Sequence, residues 1–162
     1  MRGEGGDRSK GVKRAYTLLF LLVMELIEEL GSDRALEMLK RAEEKIAVIF
    51  EKEFRSLRPS TQEPLKMGIE AYRAFMEESG AEIAIHGMGE ASAALRVGRC
   101  PFYEALLDVG VDCGYLQGAL CSNMILPAIQ EILKRIDPRL GLRTRITRQS
   151  IDEFCIEEIL LE

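Results

Sequence analysis

Four cysteines and a single histidine, Cys100, Cys113, Cys121, Cys155 and His86, are the side chains in this sequence with the most chemistry to offer. Cys100 stands directly before Pro101, where a helix is expected to start, so its sulfur would face the positive end of the backbone dipoles, with Arg96 and Arg99 adding charge of the same sign. A thiolate favoured in that way is a better nucleophile at neutral pH. Glu104, one turn further along, is placed to hydrogen-bond a neighbouring donor. His86 closes an expected strand ahead of Gly87-Met88-Gly89 and would serve as the base if folding brought it to Cys100. A rival use is a soft tetrahedral site for zinc or iron, built from three or four of Cys100, Cys113, Cys121, Cys155 and His86, although their spacings match no common zinc module. Cys113 and Cys121 differ by about 80° around a helix axis and can share a face. Packing competes with all of these roles, because unpaired cysteine is among the most buried residue types. A lone histidine, likewise, is more often a satisfied structural residue than a base.

The elements that must position these groups follow from periodicity. Residues 1–11 are rich in glycine and charge, with no apolar period, and are expected to be a mobile tail. The remainder, 12–162, reads as one α+β domain with a helical part (12–80) and a sheet-and-helix part (81–162) that carries the cysteines. A first helix is expected from Val12 to Leu30, stopped by Gly31, and a second to about Leu57, capped by Ser32 or Asp33. Its apolar stripe is expected to run through Leu36, Leu39, Ala42, Ile46, Phe50, Phe54 and Leu57. Pro59 and Pro64 bracket a turn before a third helix that ends at Ser79 and Gly80. Alternation through Ile83 and Ile85, a glycine turn, and alternation through Ala93, Leu95 and Val97 predict a β-hairpin. A short helix is expected from Cys100-Pro101 to Val109, and a longer one from Asp112 or Gly114 to Ile136, bent at Pro127. Leu142, Thr144 and Ile146, then Phe154 and Ile156, predict a closing antiparallel pair in which arginines face glutamates.

Composition narrows the function classes. At 47% apolar and 30% charged residues the chain has globular rather than disordered character, and its net charge of −5 offers no general attraction to nucleic acid or anionic lipid. The basic groups at Arg139, Arg143, Arg145 and Arg148 read as a solvated strand face. Residues Ala15 to Met24 are about half the length that crosses a bilayer, and Glu25, Glu28 and Glu29 follow at once, so a buried helix is expected instead of a signal or anchor. Four cysteines without an export signal point to a reducing, cytoplasmic setting. No phosphate loop, dinucleotide fingerprint, serine elbow or paired-cysteine zinc signature is present.

Two resemblances bear on function. Gly98-Arg99-Cys100-Pro101-Phe102-Tyr103-Glu104-Ala105, then Asp108-Val109-Gly110, Cys113 and Cys121, and the ending Asp152-Glu153-Phe154-Cys155-Ile156, resemble the L-2-amino-thiazoline-4-carboxylate hydrolase family over roughly Ile83 to Ile159. The chain departs from that pattern at Ile151-Asp152, where the glycine of a Gly-Asp turn is missing. The resemblance implies opening of a cyclic C=N bond by water at a thiol-dependent site, with Cys100 leading and Cys121 and Cys155 as further motif positions. On that reading Cys100, His86 and Glu104 are the catalytic candidates. Tyr103, Arg143 and Arg145 are candidate substrate contacts, the arginines holding a carboxylate through paired hydrogen bonds. Cys113-Gly114-Tyr115-Leu116-Gln117-Gly118 and Phe154-Cys155-Ile156 are also similar to the small-molecule-binding 4-vinyl reductase domain family. That likeness implies an α+β binding module, a homodimer, holding a hydrophobic ligand or a metal through cysteine.

Overall fold

The computed structural model of the chain describes residues 4–57, 59–110 and 121–162, the first six of them by backbone alone. Helix α1 (Glu4–Leu30) begins inside the stretch expected to be a tail. No proline precedes Pro59, and once a helix is nucleated each further residue adds a hydrogen bond at little cost. Gly31 alone separates α1 from α2 (Ser32–Ser56), with φ 81° and ψ 154°, a conformation open essentially to glycine. The caps expected of Ser32 and Asp33 are not formed, because Gly31 itself occupies the cap position. The buried stripe of α2 is Ala35, Leu39, Ala47, Phe50 and Phe54, whereas Ile46 and Leu57 face solvent, so the stripe is rotated from the expected one. Helix α3 (Pro64–Glu78) starts on a proline whose missing N–H is one the first turn leaves unbonded anyway.

Strands β1 (Ile83–Met88) and β2 (Ser92–Val97) form the expected hairpin, and β3 (Leu140–Ile146) and β4 (Cys155–Leu161) form the second. β2 joins β4, giving one antiparallel sheet in the order β1-β2-β4-β3. Ala93, Leu95 and Val97 turn inward from β2, and Ile159 from β4. Between the hairpins lie α4 (Pro101–Asp108) and α5 (Ile125–Ile136). The start of the long helix expected before α5 falls on residues 111–120, outside those described. Residues 121–123 are helical, and the break comes at Met124, three positions before Pro127. A proline ring clashes with the carbonyl of the residue four before it, so the chain leaves the helix ahead of the proline and not at it.

Three apolar clusters hold these pieces together. One packs α3 and α5 on the inner face of the sheet, through Tyr72, Leu95, Ile129, Leu133 and Ile159. A second joins α1 to α4 through Phe20, Phe102, Leu106 and Met124, with Phe102 edge-on to both Phe20 and Tyr16. The third sets α2 against α3 and α5. Cys100 and Ile125 pack against both the first and the second cluster, which locates the seam between them.

Candidate functional site

The seam encloses a cavity of about 40 Å³, lined by Cys100, Cys121 and Cys155 together with Tyr16, Met76, Val97, Ile125 and Glu157, among others. That is room for more than one water-sized group. Its walls are almost wholly apolar, so the thiols and Glu157 supply most of the polar chemistry. Each thiol arrives on a different element. Cys100 is the residue before α4, in extended conformation, and its carbonyl accepts the first helical hydrogen bond from Glu104 N at 3.0 Å. Cys121 lies just ahead of the break at Met124. Cys155 opens β4 directly opposite Val97 of β2. All three thiols are free. Cys113 lies outside the described residues.

Burial decides the state of Cys100. Loss of water pushes its thiol up, and the backbone amides of Tyr103 and Phe102 and the charge of Arg148 pull the other way without overcoming it. The helix terminus therefore acts as expected in direction, but a protonated thiol, not a held thiolate, occupies the site near neutral pH. Burial pushes the Cys121 thiol up as well. Three thiols around one cavity do not make a metal centre here: among the described residues no three histidine, cysteine, aspartate or glutamate side chains gather closely enough to hold an ion.

The other expected participants lie elsewhere. His86 is the extra residue of a β-bulge between Ile85 and Gly87 on the edge strand β1, is exposed, and does not line the cavity. Glu104 is clamped by Arg99, which donates from Nε to Oε1 at 2.8 Å and from Nη2 to Oε2 at 3.1 Å. Those bonds hold its carboxyl below the usual range, and its work is to fix the approach to α4. Arg143 and Arg145 both pair with Glu158, the latter from Nε at 2.9 Å. Successive strand residues point to opposite faces, so this pair of arginines sits across the sheet from Cys155 and Glu157. The expected cross-strand match of arginine and glutamate is thus present, and it is structural. Tyr103 is buried with Arg148 against its ring, 5.2 Å from the centroid.

Two groups, Glu157 on the cavity wall and Arg148 behind it, were not legible as site residues. Arg148 is not a solvated strand residue but is 2% exposed, donating to the carbonyl oxygens of Val97, at 2.7 Å, and of Gly98. Glu157, expected to alternate outward, is 7% exposed on the inner face of a central strand. Tyr72, from α3, donates its hydroxyl to Glu157 Oε2 at 2.7 Å. Burial pushes the Glu157 carboxyl up against the opposing pull of Tyr72 and Arg148. The signal lay in the phase of the strand: in Cys155-Ile156-Glu157-Glu158-Ile159, burial of Ile159 on the helix side carries Glu157 and Cys155 inward with it.

Compared with known proteins, the chain matches no family model and no curated sequence.

Proposed function

We propose that the chain is a small-molecule-binding domain whose ligand enters the cavity between α1, α4, α5 and the sheet. The observation that carries the reading is the convergence of three thiols and a buried carboxyl on one otherwise apolar cavity. A void lined by apolar groups loses contacts that a filled core keeps, and a buried carboxyl is costly to place there. Together they mark a site more than a packing solution. The absence of His86 from the cavity and the protonated state of Cys100 favour retention of a ligand over turnover. This agrees with the likeness to the 4-vinyl reductase domain family. Exposed Leu18, Leu21 and Leu22, three and four apart along α1, suit a homodimer. Free thiols suit the cytoplasm. The test is a methyl NMR titration with n-propanol, a small amphipathic probe. Saturable shifts at Met76, Ile125 and Leu126, lost when Val97→Phe fills the space, are expected; an unperturbed spectrum sinks the reading.

A second reading keeps the hydrolase resemblance. It is favoured by one observation: the amides of Tyr103 and Phe102 and the charge of Arg148 all act on the Cys100 sulfur in the sense that promotes a nucleophile. Glu157 would then move the proton in place of His86. Incubation with L-2-amino-thiazoline-4-carboxylate distinguishes the two. Ring opening that disappears in Cys100→Ser supports turnover, and no product over a no-enzyme control supports binding alone.

A further inference from the structure

Resting on the binding reading, the polar chemistry of the cavity specifies what its occupant carries. Glu157 is the one acidic side chain among the residues lining it. Its Oε2 is taken by the Tyr72 hydroxyl, which spends that group's only proton. No described residue donates a hydrogen bond to Oε1, and Glu157 has no salt bridge among the described residues. The cation beside it, Arg148, directs guanidinium hydrogen bonds at the carbonyl oxygens of Val97 and Gly98. The thiols of Cys100, Cys121 and Cys155 are weak donors. The lining hydroxyls are engaged elsewhere, Ser79 donating to the Phe75 carbonyl at 2.8 Å and Tyr16 hydrogen-bonded to Ser79, so Glu157 Oε1 is a strong acceptor to which no described residue donates, set in an apolar surround that strengthens any hydrogen bond made there.

We propose that Glu157 anchors the ligand, and that the ligand is a small primary amine on an apolar skeleton, its nitrogen at Glu157 Oε1 and its hydrocarbon against Met76, Val97 and Ile125. An ammonium group at Oε1 pairs with the Glu157 carboxylate, so the two buried charges compensate each other. An alcohol can make the hydrogen bond but not the ion pair. A carboxylate ligand brings a second anion to the same point and is excluded.

The experiment uses the full chain, wild type and Glu157→Gln, titrated in methyl NMR with n-propylamine, n-propanol and propionate, three probes with matched skeletons. In the wild type, propylamine is expected to bind about tenfold more tightly than propanol, the size of effect a charge-assisted hydrogen bond gives, and propionate not at all. In Glu157→Gln, which keeps an acceptor for Tyr72, the amine's advantage over propanol disappears. Equal binding of amine and alcohol by the wild type, a preference for propionate, or an amine advantage that survives in Glu157→Gln overturns the proposal. If propanol binds and the amine does no better, the cavity reading stands and the role of Glu157 falls. If none of the three binds, both fall. The ranking in the wild type decides by itself if the variant does not fold.

Discussion

A side chain's surroundings, more than its identity, set what it can do here, and Cys100 and Glu43 show this in opposite settings. Burial of Cys100 raises its thiol above the ordinary value, so alkylation by iodoacetamide at pH 7 should be slower than that of the denatured chain and should accelerate only as the solution becomes alkaline, where the thiolate appears. Mass spectrometry of the labelled peptide reads this directly, and reaction at pH 7 as fast as for an unfolded thiol would show the sulfur to be ionised. Glu43 does not line the cavity, yet it lies half-buried in line with the stripe of α2, four residues from both Leu39 and Ala47, and burial pushes it up to about 7. A carboxyl whose folded value lies above its ordinary 4.5 contributes its full stability below pH 4.5 and loses it as pH rises toward about 7. Glu43→Gln should therefore raise stability at pH 8 by about 1–2 kcal/mol, the full linkage being reduced because the side chain stays partly wet. At pH 4 it should change little. Urea denaturation at the two pH values measures the difference, and an equal effect at both would rule out titration as the cause.

Among the elements, two glycines do opposite things. Gly31 turns α1 into α2 at positive φ with nothing within 4 Å of where a Cβ would sit, so Gly31→Ala carries only backbone strain, about 1–3 kcal/mol. Gly68 is an ordinary helical glycine in α3 whose added Cβ would lie 3.0 Å from Leu140 Cδ1 and 3.2 Å from Leu133 Cδ2. Gly68→Ala must therefore displace the Leu140 and Leu133 side chains by a few tenths of an ångström, and a loss of about 1–3 kcal/mol is expected from overpacking. Thermal unfolding of both variants tests this, and a Gly68→Ala chain as stable as wild type would mean that the two leucines move freely aside. These elements were largely legible in the sequence because each obeys one period: the stop at Gly31, the proline start of α3, and the alternation of Ala93, Leu95 and Val97 all act locally. The convergence of Cys100, Cys121 and Cys155 was not readable from spacing, since it depends on β2 joining β4 and on α4 packing beneath α1. Whether His86 would meet Cys100 was unreadable for the same reason: strand alternation places it on a face, but the bulge and the edge position of β1 keep it exposed, away from the cavity. Glu157 and Arg148 were misjudged because charge was read as exposure, when the register of β4 and the carbonyls at the end of β2 hold both inside.

At the scale of the whole molecule, the cavity lies where two apolar clusters meet, one built on the sheet and one on α1 and α4, and filling that seam should strengthen the fold at the expense of the site. Val97 lines the cavity from β2, is 2% exposed, and sits opposite Cys155. Val97→Ile adds one methylene, keeps the β-branched shape that a strand favours, and extends into space that no side chain fills. Recovering contacts for a void of this order is worth about 0.5–1 kcal/mol, which appears as an upward shift of a few degrees in Tm for a chain of this size. The same change should weaken n-propanol binding, because the methylene and the probe compete for one volume. Stability and binding are thus expected to move in opposite directions from a single buried substitution, the pattern of a site kept open against the tendency of a core to close. A Val97→Ile chain that is less stable than wild type would show the space to be already filled, and one that is more stable yet binds propanol unchanged would place the ligand elsewhere.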